Sequence, residues 1–158
     1  MAEPILRRAV AADIPDIRAL TIRAYTKWLA VTPRPPRPMT ADYDHAFAAH
    51  RFDVLVDQGA LIGLIETVPQ DDELLIVNVA VAPEQQGQGY GVLLMRHAED
   101  LARRIGTKGL RLYTNKLMTS NIALYERLGF VFDTETYHDQ GTVAVHMVKA
   151  VEGSPPLA

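Results

Sequence analysis

Residues 74–106 read LLIVNVAVAPEQQGQGYGVLLMRHAEDLARRIG: an almost unbroken apolar run, a proline, glycines at 87, 89 and 91, and an amphipathic repeat. No other stretch restricts the fold as strongly. Residues 74–82 read as a strand buried on both faces. Leu94, Ala98, Leu101 and Ile105 then recur at helical spacing, with Arg96, Glu99, Arg103 and Arg104 mostly off that stripe. Gly106 stands where a helix C-terminus favours a left-handed residue. Strand, glycine turn and helix in direct succession demand layers of α and β structure. They also gather bare backbone amides at a helix N-terminus, a geometry that converges on an anion such as a diphosphate. Alternating glycines alone suit a ligand-free strand-to-helix corner equally well.

The rest of the chain supplies the setting. PILRRA reads as a first strand, and Ile14, Ile17, Leu20, Ala24 and Trp28 mark a helix over about 14–29 behind Asp13 and Pro15. The prolines of TPRPPRP make 32–38 an extended connector, and Thr40 is a plausible N-cap for a second helix in ADYDHAFAAH. FDVLVD and ALIGLIETV form a hairpin around Gln58-Gly59, PQDDE is a turn, and GLRLYTN is a further strand. TSNIALYERLG reads as a short helix capped by Thr119 or Ser120, and FVFDTETY, HDQG and TVAVHMVKAV as a closing hairpin. The expected class is α+β, with a mixed, mostly antiparallel sheet of six or seven strands and about four helices on both faces. A single domain over 1–151 and a flexible tail over 152–158 are expected.

Spacing separates the phosphate-binding alternatives. A Walker A loop needs lysine and then serine or threonine after its last glycine, where this chain has Val92 and Leu93. A dinucleotide turn needs G-x-G-x-x-G and an acidic residue ending the next strand; here the glycines run G-x-G-x-G and that strand ends in Thr114 and Asn115. VNVAVAPEQQGQGYGVLLM instead resembles the acyl-CoA-binding segment of the GNAT superfamily of N-acyltransferases, a strand, a proline, Q/R-x-x-G-x-G/A and a leucine-rich helix. Gln86, Gly89 and Gly91 occupy the motif positions. NIALYERLGF at 121–130 resembles the family's following helix, with Tyr125 and the Leu-Gly-Phe ending. The family pattern has asparagine seven residues before the tyrosine; this chain has Met118 there and Asn121 four before it, on the tyrosine's helical face.

The resemblance implies transfer of an acyl group, most often acetyl from acetyl-CoA, to a primary amine of a small molecule or protein by direct attack. It implies cofactor contacts from the backbone of Val79, Ala80 and Val81, from Gln86, Gly87, Gln88, Gly89, Tyr90 and Gly91, and from Asn121. It implies Tyr125 as the acid that protonates the departing thiolate; bare spacing would make it a core aromatic. An alkyl amine with a pKa of about 10.4 is only about one part in a thousand free at neutral pH, so a base or a water chain must take its proton. Glu66 is the candidate base, although an alternating strand reads more readily as leaving it outward in solvent. Asn78 cannot be a base but can hold a water, and His138 and His146 read as surface or core histidines. Tyr25, Trp28, Met39 and Tyr43 are candidates for an acceptor pocket, and Asp42 for pairing with its ammonium.

The remaining bounds are general. Hydrophobic residues at 48% and charged residues at 22% are ordinary for a globular protein. Zero cysteines exclude disulfides and thiol chemistry, and no spacing of histidines and carboxylates suggests a metal site. A net charge of −3 without long like-charged runs argues against nucleic acid or membrane as partner. MAEPILRRAV carries no apolar leader, so a cytoplasmic protein is expected. A homodimer is open, and a non-catalytic acyl-CoA sensor is the alternative to the enzyme.

Overall fold

A computed structural model describes residues 3–138 and 141–151. The expected tail at 152–158 and two residues of the HDQG turn, Asp139 and Gln140, lie outside the described residues. The chain runs β1 (Ile5–Arg8), α1 (Ile14–Tyr25), α2 (Tyr43–Ala49), β2 (Arg51–Asp57), β3 (Ala60–Gln70), β4 (Glu73–Val81), α3 (Tyr90–Ile105), β5 (Gly109–Asn115), α4 (Thr119–Arg127), β6 (Val131–Tyr137) and β7 (Val143–Ala150). The strands form one sheet in the order β1-β2-β3-β4-β5-β7-β6, antiparallel except for the β4–β5 pair. The α+β expectation, its strand number and its four helices are met. One core packs α3 and Tyr125 of α4 against β4, β5 and β7, and a second packs α1 and α2 against β2 and β3.

β4 departs from its expected burial on both faces. Glu66 of β3 pairs with Asn78 and Thr67 pairs with Ile76, so Val77 is an extra residue that bulges the strand and is 37% exposed. Leu74 and Ile76 belong to the α3 core before the bulge, and Val79 and Val81 pack against the same core after it. The phase has slipped by one residue, which turns Asn78 and Ala80 toward α1 and α2. Every neighbour of Asn78 in this strand is apolar, so no alternation in the sequence marks the slip. The β4–β5 ladder runs only from Glu73–Gly109 to Ile76–Leu112, and beyond the bulge the two strands pair no further.

Local corrections have local causes. α1 stops at Tyr25 and continues as a 3-10 turn over Thr26–Ala30, where Thr26 Oγ1 donates back to the Ile22 carbonyl and the Val31 and Thr32 amides both donate to the Trp28 carbonyl. The proline connector is not uniformly extended, because Arg37–Met39 closes a 3-10 turn. Asp42 rather than Thr40 caps α2, accepting from the His45 amide at 3.1 Å. Neither Thr119 nor Ser120 caps α4: its N-cap is Met118, and Asn115 accepts from the Leu117 amide at 2.9 Å just before it. Ile105 leaves the α3 stripe for solvent, being the last residue before the left-handed Gly106.

Candidate active site

The gap opened between β4 and β5 leads into a cleft of about 290 Å³. Its walls come from the end of β4 (Val79, Ala80, Val81), the glycine turn and first turn of α3 (Gln86, Gly87, Gly89, Tyr90, Gly91), α4 (Asn121, Leu124, Tyr125), the end of α1 (Tyr25) and the 3-10 turn after it (Trp28). Gly87 and Gly89 hold φ of +83° and +89°, and Gly89 is the N-cap of α3. A side chain at either would strain the backbone, yet a Cβ at Gly87, Gly89 or Gly91 would meet no protein atom within 4 Å. The bare backbone therefore borders open space at a 16-residue helix's positive end. Gln86 braces the turn by donating from Nε2 to the Val81 carbonyl at 3.0 Å. Lys27 donates to Gln86 Oε1 at 3.1 Å and lies 5.4 Å over the Trp28 ring, so a cation stands at the mouth of the turn.

Tyr125 is 8% exposed, packs at 6.0 Å between centroids against Phe130, and turns to the cleft from the opposite wall. The left-handed Gly129 after α4 lets Phe130 return beneath it, with the Phe130 amide donating to the Tyr125 carbonyl at 3.0 Å. The Tyr125 hydroxyl forms no hydrogen bond among the described residues. Burial pushes its pKa up to about 12, so at neutral pH it is a proton donor.

A second group of side chains meets the cleft from the α1 side of β4. The Tyr25 hydroxyl donates to Asn78 Oδ1 at 2.8 Å, with the Val79 carbonyl at 3.4 Å. Asn78 Nδ2 donates to Thr21 Oγ1 at 3.2 Å and to the Tyr43 hydroxyl at 3.4 Å, and Tyr43 donates to the Pro38 carbonyl at 2.6 Å. Burial raises the Tyr25 pKa well above its ordinary value and the Tyr43 pKa to about 12, so both remain neutral donors. Glu66 is not outward in solvent: it is 3% exposed, because its register opposite Phe52 and Asn78 turns it into the α1 and α2 side. Its Oε2 lies 2.6 Å from His50 Nδ1. Burial raises the Glu66 pKa, an effect that the bond to His50 opposes.

Most of the expected residues thus converge. Gln88 does not: it is exposed and off the cleft wall. Met39, Asp42, Tyr43 and Glu66 do not line the cleft either. Asp42 is taken up as the α2 cap, Tyr43 touches the cleft only through Asn78 and Tyr25, and Met39 closes the proline connector. Met118 is buried, whereas Asn121 shares the cleft wall with Tyr125. Sequence reasoning missed Lys27, Thr21 and His50, whose partners lie 59, 57 and 16 residues away, beyond any local pattern.

A cleft between splayed parallel strands, with a glycine turn at one end and a buried tyrosine at the other, defines an acyl-CoA-binding acyltransferase fold. The model of the Acetyltransferase (GNAT) family matches residues 14–130, and the chain belongs to this family, whose acetyltransferases use acetyl-CoA. It is similar to streptothricin acetyltransferase of Streptomyces lavendulae, 39% identical over 77 residues that make up 47% of this chain and 40% of that protein. It is also similar to the ribosomal protein bS18-alanine N-acetyltransferase of Escherichia coli strain K12, 36% identical over 76 residues, 48% of this chain and 51% of that protein. The chain therefore spans about half the length of these curated relatives or less. The solved ribosomal-protein-S18-alanine N-acetyltransferase from Escherichia coli shares the fold, with a TM-score of 0.74 at 23% identity over 98% of both chains. So does the PaiA N-acetyltransferase from Thermoplasma acidophilum, solved in complex with coenzyme A, with a TM-score of 0.75 at 15% identity over 94% of this chain and 99% of that one. Among the described residues no helix is long and apolar enough to cross a membrane.

Proposed function

We propose that the protein is an N-acetyltransferase that moves the acetyl group of acetyl-CoA directly onto a primary amine of a small molecule or protein. The observation that carries this reading is the convergence of the glycine turn and Tyr125 on one cleft. The turn and the α3 N-terminus hold the pyrophosphate, with Lys27 adding positive charge at its edge, and the end of β4 receives the pantetheine arm and thioester. The amine nitrogen attacks the thioester carbon from the α1 side of β4, a C–N bond forms, and the C–S bond breaks. The thiolate takes the Tyr125 hydroxyl proton, and the proton leaving the nitrogen restores it through solvent. Asn121, one helical turn before Tyr125, supports the arm on the same wall.

Release of free thiol from acetyl-CoA across a panel of alkyl amines and peptide N-termini tests this. Turnover with at least one amine is expected, and Tyr125→Phe is expected to lower kcat by about 100-fold or more while leaving acetyl-CoA affinity unchanged. Acetyl-CoA that binds but yields free thiol with no amine of the panel would overturn the reading, and turnover unchanged in Tyr125→Phe would remove Tyr125 as the acid.

A further inference from the structure

The cleft has a blind end as well as a mouth. At the mouth stand the glycine turn and Lys27, where the pyrophosphate belongs. Of β4 the walls take Val79, Ala80 and Val81 but not Asn78, so the opening stops at Val79. Below that point the sheet shuts again. The β4–β5 ladder reaches up only to the Ile76–Leu112 pair, about 10 Å along the strand from Val79. An acyl chain that continues the pantetheine arm past the thioester therefore runs into this end.

Tyr25 closes the end from the α1 side. It is the last residue of α1, it lines the cleft, and its hydroxyl is spent on the strand beneath it. That hydroxyl donates to Asn78 Oδ1 at 2.8 Å, with the Val79 carbonyl at 3.4 Å, so the ring is pinned across β4 at the residue where the cleft stops. Asn78 is held in turn, because its Nδ2 donates to Thr21 and Tyr43. Tyr125 stands on the opposite wall, and after burial its nearness also raises the Tyr25 pKa, so the two phenols flank one end of the cleft. They offer it different things. The Tyr125 hydroxyl has no partner among the described residues, whereas the Tyr25 proton is committed to Asn78 and leaves the cleft only the bulk of its ring. A volume of about 290 Å³ also lies at the lower edge of the roughly 300–1,000 Å³ found for small-molecule pockets, so a long chain has little room beside the arm.

Resting on the acetyltransferase reading, we propose that Tyr25 is the specificity-determining residue for the donor: its ring blocks the blind end of the cleft and restricts the protein to short acyl groups, acetyl above all. Each further methylene must displace a ring that a hydrogen bond holds in place, or push the thioester away from Tyr125. A pocket that cannot take one methylene discriminates against it by about 10- to 200-fold. A smaller residue at 25 leaves space that a longer chain fills, and burying each methylene there is favourable by about 0.8 kcal/mol.

The test compares acetyl-, butyryl- and hexanoyl-CoA in wild type, Tyr25→Phe, Tyr25→Leu and Tyr25→Ala, with affinity by calorimetry and kcat/KM by thiol release with one amine that the wild type acetylates. Each protein is read as the ratio between donors, which cancels any general loss from the missing bond to Asn78. Wild type is expected to favour acetyl-CoA over butyryl-CoA by about 10-fold or more, and over hexanoyl-CoA by a wider margin. Tyr25→Phe, which keeps the ring, stays within about threefold of the wild-type ratios. Tyr25→Leu brings butyryl-CoA, and Tyr25→Ala also hexanoyl-CoA, to within about threefold of acetyl-CoA or beyond it. If Tyr25→Ala does not fold, Tyr25→Leu decides. Equal preference for the three donors in wild type, ratios unchanged in Tyr25→Leu, or relaxation in Tyr25→Phe as complete as in Tyr25→Leu would overturn the role of the ring. If the wild-type protein acetylates no amine, the acetyltransferase reading itself falls, while the affinity ratios still judge Tyr25.

Discussion

The two sides of β4 are built by different means. On the α3 side the anion cradle is backbone: the end of β4, two left-handed glycines and the first turn of one helix, all within residues 79–91. On the α1 side the polar surface is made of side chains, and Thr21, Tyr25, Tyr43, His50, Glu66 and Asn78 come from four separate elements or their ends. The first kind of site needs particular φ values and bare approach, and tolerates little variation in residue type. The second needs only that hydroxyls, amides and a carboxylate meet after folding, and each member could be replaced by another polar group placed from elsewhere. A group that every family member must hold suits the first construction, and an acceptor that differs among members suits the second.

The largest effect expected from breaking this contrast lies in the backbone site. Gly89→Asp places a carboxylate on the anion cradle and should lower acetyl-CoA affinity by more than about 100-fold in calorimetry; the left-handed backbone is strained by the new side chain, but its Cβ meets nothing within 4 Å, so the loss of affinity is read on protein shown to be folded by its melt. Gly89→Asn sharpens the point: asparagine adopts the left-handed conformation more readily than most residues, so affinity retained there assigns the loss in Asp to charge, and an equal loss assigns it to steric approach. Next comes Tyr125→Phe, with its loss of kcat at constant affinity, since among the described residues the deleted hydroxyl has no partner to leave stranded.

On the side-chain site, Asn78→Ala should act mainly on stability. It removes a partner from the Tyr25, Thr21 and Tyr43 hydroxyls, of which Tyr43 keeps the Pro38 carbonyl and Tyr25 only the longer contact to the Val79 carbonyl, and about 1–3 kcal/mol of unfolding free energy in urea is expected to be lost. A change below the error of the melt would mean that water replaces the amide without cost. The smallest effect is the pH dependence from Glu66. Burial raises its pKa in the folded state, so the folded protein holds that proton more tightly than the unfolded chain does. Its contribution to stability is present below the ordinary carboxylate value and is lost as pH rises through the raised one. Thermal melts should therefore show wild type losing ground to Glu66→Gln as pH rises above the ordinary glutamate value of about 4.3. A difference that runs the other way would show that the His50 bond outweighs burial.

Much of the fold could be read along the chain because its signals are local. The α3 repeat, Gly106 as its left-handed end, the Gln58-Gly59 hairpin and the β6–β7 hairpin each depend on residues within a few positions of one another. The errors share a cause of the opposite kind. Glu66 looked like an outward residue of an alternating strand, but the bulge at Val77 and the packing of α2 decide what lies over it. Asp42 looked free to meet an ammonium, yet the α2 amides claim it first.

The sequence by itself determined the order of elements, the glycine conformation at the strand-to-helix corner, the presence of Tyr125 one helix further on, and through these the family. Those depend on backbone sterics and short-range periodicity, which neighbouring residues carry in full. Only the tertiary structure decided that β4 slips phase at Val77, that β4 and β5 part beyond Ile76, and that Asn78, Tyr25 and the Glu66–His50 pair share one side of the opening. Register and burial are set by what packs across the sheet, and no residue's immediate neighbours in the chain record that.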